Sequence, residues 1–254
     1  MSLFSLEGRT ALVTGASRGI GRALAAGLAE AGADLILAAR SEDALQDTAA
    51  AVRAYGRQAH VYTADVSEPA SIGGLFQKMD DAGLRADILI NNAGMEEVRA
   101  SVDVDEALWD RILDTNLKGA FFVARHFAER LLTAGFPGAI VNTCSLTSAV
   151  GVPTAVPYTA SKTGLLGMTR ALSSEWSPKG IRVNGIGPGY FRTELTEVFY
   201  QDDAWRAAML AKIPMGRFGA LEDLVGACVF LTAPASAYVT GQLVFVDGGY
   251  LASI

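Results

Sequence analysis

A chain of 254 residues, half of them hydrophobic and 19% charged, is long enough for one large α/β domain with a buried sheet and too apolar to be disordered. A net charge of −6 and a pI near 5.0, with no cluster of lysine and arginine, exclude a nucleic-acid binder, because phosphate contacts need such clusters. The two cysteines, Cys144 and Cys228, and the two histidines, His60 and His126, stand at no metal-ligand spacing, so no metal is expected and the thiols read as buried and structural.

At the amino end, Met1 to Glu7 lack a basic region followed by an apolar core, and no apolar run approaches the ~18 residues of a membrane span, so a cytoplasmic protein is expected. The first strand is predicted over 10–14. It runs through Thr14-Gly15-Ala16-Ser17-Arg18-Gly19-Ile20-Gly21 into a helix over 20–31. Strand, glycine turn, helix is a phosphate-binding arrangement: glycines allow a tight turn and close approach to a pyrophosphate, and the helix N-terminus favours its charge. Opening the first βαβ unit, this loop predicts a dinucleotide site. The second strand, 34–39, ends on Ala39 and Arg40, where an NAD site usually has an acid for the ribose hydroxyls. Arg40 and Arg18 can together hold a 2′-phosphate, so NADP(H) is favoured over NAD(H). Glu42 and Asp43 then read as first-turn acids of a helix capped by Ser41.

The remaining pattern alternates. Helices are predicted over 42–55, 69–82, 104–132, 158–177 and 221–231, and strands over 58–63, 86–90, 139–144, 181–186 and 243–246. Alternation of this kind means parallel pairing with crossovers, hence a Rossmann-type, doubly wound sheet of about seven strands in a three-layer sandwich, one domain over 1–254. Runs such as Leu35-Ile36-Leu37-Ala38-Ala39 suit a sheet covered on both faces. Residues 190–215 break the alternation. This insertion carries Tyr190, Phe191, Phe199, Tyr200 and Trp205 and is expected to be a substrate lid, with a subunit interface as the alternative use of its aromatics.

Tyr158 and Lys162 share a helix face at i and i+4, with Ser145 upstream at the end of an apolar stretch. A neighbouring ammonium favours phenolate, so the tyrosine pKa is expected to be lowered and the phenol to serve as acid/base.

With the glycine loop, Tyr158, Lys162 and Ser145 in this order, the chain resembles the short-chain dehydrogenase/reductase family over nearly its whole length. Asp65-Val66, Asn91-Asn92-Ala93-Gly94, Asn116, Pro188-Gly189 and the ending Val246-Asp247-Gly248-Gly249 add to the resemblance. It implies hydride transfer between nicotinamide and a carbonyl or alcohol. By the same resemblance, Ser145 binds the substrate oxygen, Tyr158 moves its proton, Lys162 tunes Tyr158 and binds the nicotinamide ribose, and Asn116 holds a relay water. Gly15, Ser17, Arg18, Gly19, Ile20, Gly21 and Arg40 would bind the phosphates, Asp65 and Val66 the adenine, Asn92, Ala93 and Gly94 the groove, and Pro188, Gly189 and Thr193 the nicotinamide. Cys144 stands where many relatives have a second serine, and without a paired His it is not expected to be a nucleophile.

The stretches from Pro188 to Leu195 and from Val246 to Ser253 are similar to the family's gluconate-5-dehydrogenase-like branch, which acts on sugar acids and polyols. A small-molecule substrate and a homotetramer are the expected partners. Met95-Glu96-Glu97 sets an anionic substrate against acids, with Arg99 and Arg192 as the compensating cations. A 3-oxoacyl thioester (acyl-carrier-protein) reductase is the alternative enzyme, disfavoured by Glu194, Glu197, Asp202 and Asp203 at the rim, where an acidic carrier needs a basic patch. A non-catalytic nucleotide-sensing protein is the alternative of another class, and the retained set Asn116, Ser145, Tyr158 and Lys162 speaks against it.

Overall fold

The computed structural model describes residues 3–192 and 200–253. Among these described residues seven parallel strands, β1 (Thr10–Thr14), β2 (Asp34–Ala39), β3 (Ala59–Thr63), β4 (Ile88–Asn91), β5 (Gly138–Thr143), β6 (Ile181–Pro188) and β7 (Leu243–Val246), form one sheet in the order β3-β2-β1-β4-β5-β6-β7. The helices are α1 (Gly19–Glu30), α2 (Gln46–Ala54), α3 (Pro69–Asp81), α4 (Glu106–Leu113), α5 (Gly119–Ala134), α6 (Val156–Trp176), α7 (Asp203–Leu210) and α8 (Val225–Thr232).

Side chains alternate across each strand, so the apolar runs feed two cores. Ala11, Val13, Leu35, Leu37, Ile88 and Ile90 pack with Leu24 and Leu28 of α1, Val52 of α2, and Cys228 and Leu231 of α8. Leu12, Ile36, Leu89 and Ile140 turn to the other face, against Phe76 of α3, Phe127 of α5 and Leu172 of α6. The chain winds outward from β1 to β3 and then returns to β4 on the other side of β1. That reversal opens a crevice at the carboxyl ends of β1 and β4, the place where such sheets bind ligands.

Strands 10–14, 34–39 and 243–246 stand as the sequence predicts, and β6 continues to Pro188. The helix expected over 104–132 forms over 106–134, with a π-turn within it. Asp105 Oδ1 accepts from Leu108 N at 2.8 Å and starts α4. A π-turn over Asp114–Lys118 then separates α4 from α5. α5 begins at Gly119, where a Cβ would lie 2.4 Å from the Val66 carbonyl oxygen, so the helix seats directly against the loop after β3. Within the insertion, Asp202 accepts from Ala204 N and Trp205 N at 2.9 and 3.0 Å and starts α7, which the sequence reading leaves out; residues 193–199 lie outside the described residues.

A buried polar ladder fixes α5 and α6 on the sheet. Asn91 Nδ2 donates to Ala120 O and to Asn142 Oδ1, both at 3.0 Å, and Asn142 Nδ2 donates to Thr169 Oγ1 at 2.8 Å. Asn142 and Thr169 are fully buried. Asn142→Leu would leave the Asn91 amide short of an acceptor in the core, and should destabilise the protein by about 1–3 kcal/mol in denaturant titration. A loss of less than about 0.5 kcal/mol, the range of an ordinary surface substitution, would show the ladder to be idle.

Candidate active site

The glycine loop is a backbone cradle. Gly15 and Gly19 take positive φ, +64° and +52°, and a Cβ at Gly21 would lie 2.2 Å from the Gly15 carbonyl oxygen, so none of these positions admits a side chain without strain. Arg18 precedes α1 in extended conformation, makes no side-chain cap, and the first turn carries no acid. The amides at this helix start thus have no side-chain acceptor and suit an anion. Two residues the sequence reading misses hold the loop: Thr48 Oγ1 donates to Ala16 O at 2.8 Å, and Arg22 Nη2 to Ser17 O at 2.8 Å. As lone polar residues on helical stretches they carry no signal that marks them from any helix surface. Arg18 and Arg40 are both exposed at the mouth, and Arg40 has no ion pair or hydrogen bond among the described residues. Ser41 Oγ accepts from Ala44 N at 3.4 Å, in keeping with its expected capping role, and leaves Glu42 and Asp43 exposed. These features fit a dinucleotide with a 2′-phosphate.

In the loop after β3, Asp65 Oδ1 accepts from Ser67 N and Oγ at 3.0 and 2.7 Å. Val66 is buried in the core, so its side chain packs inward and Asp65 is the polar member of the pair.

Ser145, Tyr158 and Lys162 come together at the carboxyl end of β5. Ser145 caps the short turn Leu146–Ser148, its Oγ accepting from Thr147 N at 3.2 Å. Tyr158 and Lys162 lie one turn apart at the start of α6. Lys162 is buried, its Nζ donates to Thr143 O at 2.7 Å, and it sits 5.6 Å from the centre of the Tyr158 ring. Burial pulls the Lys162 ammonium down to about 8, while Cys144 and Glu96 act the other way. The expected lowering of Tyr158 is not found. Burial holds its phenol above the ordinary value, Glu96 adds to this, the Ser145 hydrogen bond lowers it and Cys144 raises it slightly. The physical reason is that desolvation of the phenolate dominates at this buried position. Burial also pushes the Cys144 thiol up to about 11 and Cys228 to about 12, so neither is a thiolate at neutral pH.

Asn116 lies in the π-turn and is buried. Its Oδ1 accepts from Met95 N at 2.8 Å, and its Nδ2 donates to Met95 O at 2.9 Å and to Ser161 Oγ at 3.1 Å. The side chain thus clamps the loop after Gly94.

The rim completes the site. Gly189 N donates to Val246 O at 2.9 Å, and a Cβ at Gly189 would lie 2.6 Å from Asp247 Cα, so Pro188-Gly189 turns tightly past the C-terminal strand. Thr193, Glu194, Glu197 and Phe199 lie outside the described residues. Tyr190, Tyr200, Trp205, Phe218 and Tyr250 pack ring on ring, with Tyr190 5.6 Å from Trp205 and 5.2 Å from Tyr250. Phe191 departs from the lid expectation: it is buried in the core beside Gly219. Arg99 is not the cation expected for an anionic substrate, because Glu97 pairs with it and with Arg111 Nη2 at 2.9 Å. Of the acidic run, Asp202 caps α7 and Asp203 pairs with Arg206 at 2.7 Å. A cavity of about 210 Å³ opens beside Tyr190, Ile213, Met215 and Gly248. Another, about 560 Å³, lies at the amino ends of the strands around Arg9 and Arg182, away from the acid/base groups.

The model of a family described as enoyl-(acyl carrier protein) reductase matches residues 15–251. Gluconate 5-dehydrogenase of Gluconobacter oxydans (strain 621H) is 40% identical over 253 residues, which span 99% of this chain and 98% of that one. 2-Dehydro-3-deoxy-D-gluconate 5-dehydrogenase of Dickeya dadantii (strain 3937) is 38% identical over 252 residues, 99% of each chain. The crystal structure of a gluconate 5-dehydrogenase from Burkholderia cenocepacia J2315, in complex with NADP and tartrate, superposes with a TM-score of 0.95 at 37% identity, over 99% of this chain and 98% of that chain.

Lys162 gives the site a pH signature. Its folded value near 8 lies below the ordinary 10.5, so between these values the unfolded chain binds more protons and folding stability rises with pH. Below 8 both states are protonated and the burial penalty is constant. The stability difference, wild type minus Lys162→Met, should therefore climb between pH 8 and 10.5 and stay level below 8. A difference that is flat or falls over that range in denaturant titrations would mean that Lys162 is not a desolvated ammonium.

Proposed function

The chain belongs to the short-chain dehydrogenase/reductase family, and from that membership we propose that it is an NADP(H)-dependent oxidoreductase acting on the carbonyl or secondary alcohol of a small sugar acid or polyol. The observation that carries the reading is the convergence of Ser145, Tyr158 and Lys162 at the end of β5, beside an uncapped helix start with Arg18 and Arg40 at its mouth. Structural relatives are crystallised with NADP, and the curated relatives act on gluconate and its dehydro and deoxy derivatives by name.

In this reading the backbone of Gly15, Ser17, Gly19, Ile20 and Gly21 holds the pyrophosphate, and Arg18 and Arg40 hold the 2′-phosphate. Asp65 and Val66 border the adenine, Asn92, Ala93 and Gly94 line the groove, Tyr158 and Lys162 take the ribose, and Pro188, Gly189 and Thr193 support the nicotinamide. NADP(H), when bound, supplies or accepts the hydride. Ser145 orients the substrate oxygen. Tyr158 is protonated at neutral pH and so is in the state that donates a proton to a carbonyl. Lys162 stays largely charged at pH 7 and stabilises the phenolate left behind. Asn116, through Met95, fixes the wall opposite.

The same reading makes the segment 190–215 a lid, since its aromatics close ring on ring over the rim. It makes the assembly a homotetramer, because β7 is an edge strand with all four residues half-exposed and α8 keeps Val225, Val229 and Phe230 half-exposed, leaving apolar surface for a second copy. A cytoplasmic location completes it, in keeping with two free buried thiols. No described helix is long and apolar enough to cross a membrane. Against the acyl-carrier alternative stand the full-length relatives named for gluconate and its derivatives.

The test is a panel of oxo sugar acids, polyols and plain ketones assayed with both cofactors; turnover only of acyl thioesters, or of nothing, would sink the reading. Tyr158→Phe should abolish turnover while NADPH still binds, and near-normal activity would remove Tyr158 from the proton path. Arg40→Asp should shift preference from NADPH toward NADH by about tenfold or more, since a charge-assisted phosphate contact is worth about 1.5–3 kcal/mol. A wild type that already prefers NADH would refute the phosphate role of Arg40.

A further inference from the structure

Two residues past Gly94 stands a carboxylate that the fold does not use. Glu97 is taken up by Arg99 and Arg111, whereas its neighbour Glu96, half-buried, makes no ion pair and no hydrogen bond among the described residues. Its loop is fixed against the acid/base centre. Asn116 grips both backbone groups of Met95, and a Cβ at Gly94 would lie 3.3 Å from Asn116 Oδ1 and 3.5 Å from Lys162 Nζ. From this wall the charge of Glu96 reaches Tyr158, Lys162 and Tyr190. Burial holds the Glu96 carboxyl above the ordinary range, while Lys162 draws it back.

We propose that Glu96 selects the substrate: its carboxylate accepts hydrogen bonds from hydroxyls beside the reacting carbon and repels a substrate carboxylate placed there. An ionised carboxyl is an acceptor only, so it recognises O–H donors, and in a desolvated pocket like charges repel strongly. Arg99 is already paired with Glu97, and Lys162, the cation that draws on Glu96, is committed to Thr143 O. The inference rests on the sugar-acid and polyol reading and sharpens it. The substrate carries its hydroxyls next to the reacting carbon and any carboxylate at the far end.

The experiment compares NADPH-dependent reduction of two oxo acids of equal chain length. One has its carbonyl next to the carboxylate, and the other has it between two hydroxyl-bearing carbons. Wild type, Glu96→Gln and Glu96→Ser are measured for kcat/KM on each. Both variants should raise the ratio of the first substrate to the second by about tenfold or more, with the Kd for NADPH held within about twofold. An unchanged ratio would overturn the proposal. So would an equal fall on both substrates, which would make Glu96 part of proton transfer or of folding. A wild type that reduces neither oxo acid but does reduce neutral ketones would fail the sugar-acid reading separately. The selection is then read on a hydroxyl-flanked ketose against its deoxy analogue, where Glu96→Gln should lose the preference for the ketose, and a retained preference would overturn it.

Discussion

Asn92 ties the two halves of the site together. The crevice exists because β1 and β4 are neighbours whose crossovers leave in opposite directions, and a crevice between diverging loops needs something to set its width. Asn92 N and Ala93 N donate to Thr14 Oγ1 at 3.1 and 3.2 Å, and Asn92 Nδ2 donates to the carbonyls of Thr14 and Gly15 at 3.1 Å each. The end of β4 is thereby bonded to the glycine loop, so the phosphate cradle and the wall of the acid/base centre cannot move apart. Gly21 is part of the same constraint: a Cβ there would strike Asn92 Nδ2 at 2.5 Å as well as the loop carbonyl.

From that bond the site extends in one direction only. Beyond Gly94 the chain has no secondary structure until residue 101, and left alone it would be a mobile loop. The Asn116 clamp on Met95 prevents this, and the π-turn explains how Asn116 comes to be there. One extra residue in the turn shifts the register of the helix expected over 104–132 without ending it, and places a buried carboxamide where α4 meets α5. Ser161 Oγ, which receives from Asn116 Nδ2 and donates to Tyr158 O at 2.7 Å, carries the same chain of bonds to the residue bearing the phenol.

The parts of the molecule that announce themselves in sequence are those that depend on local constraints. Continuous apolar runs bounded by turns gave β1 and β2 to the residue, because a strand covered on both faces has no polar side to blur it. The glycine loop was legible because positive φ and close backbone approach leave few residue choices. The π-turn was not, since Leu113, Leu117 and Ala120 keep an apolar face through it. Neither was the direction of the Tyr158 shift, which depends on burial and on a carboxylate brought in from another loop. Arg99 looked available only because its pairing with Glu97 at i−2 is set by an irregular backbone, for which no periodicity exists. Thr48 and Arg22 were hidden for a similar reason: what they hold is a carbonyl, and no side-chain motif records a carbonyl.

The burial of Lys162 then has a consequence for what the centre can hold. An ammonium carries three donors, and Thr143 O takes one of them; no other acceptor for Nζ exists among the described residues. Taking an ammonium out of water with two donors unmet is unfavourable, and the lowered Lys162 pKa is the measure of that penalty. A ligand that brings two hydroxyl or ether oxygens to this point would supply the missing acceptors and offset that penalty, so its binding and the protonation of Lys162 favour one another.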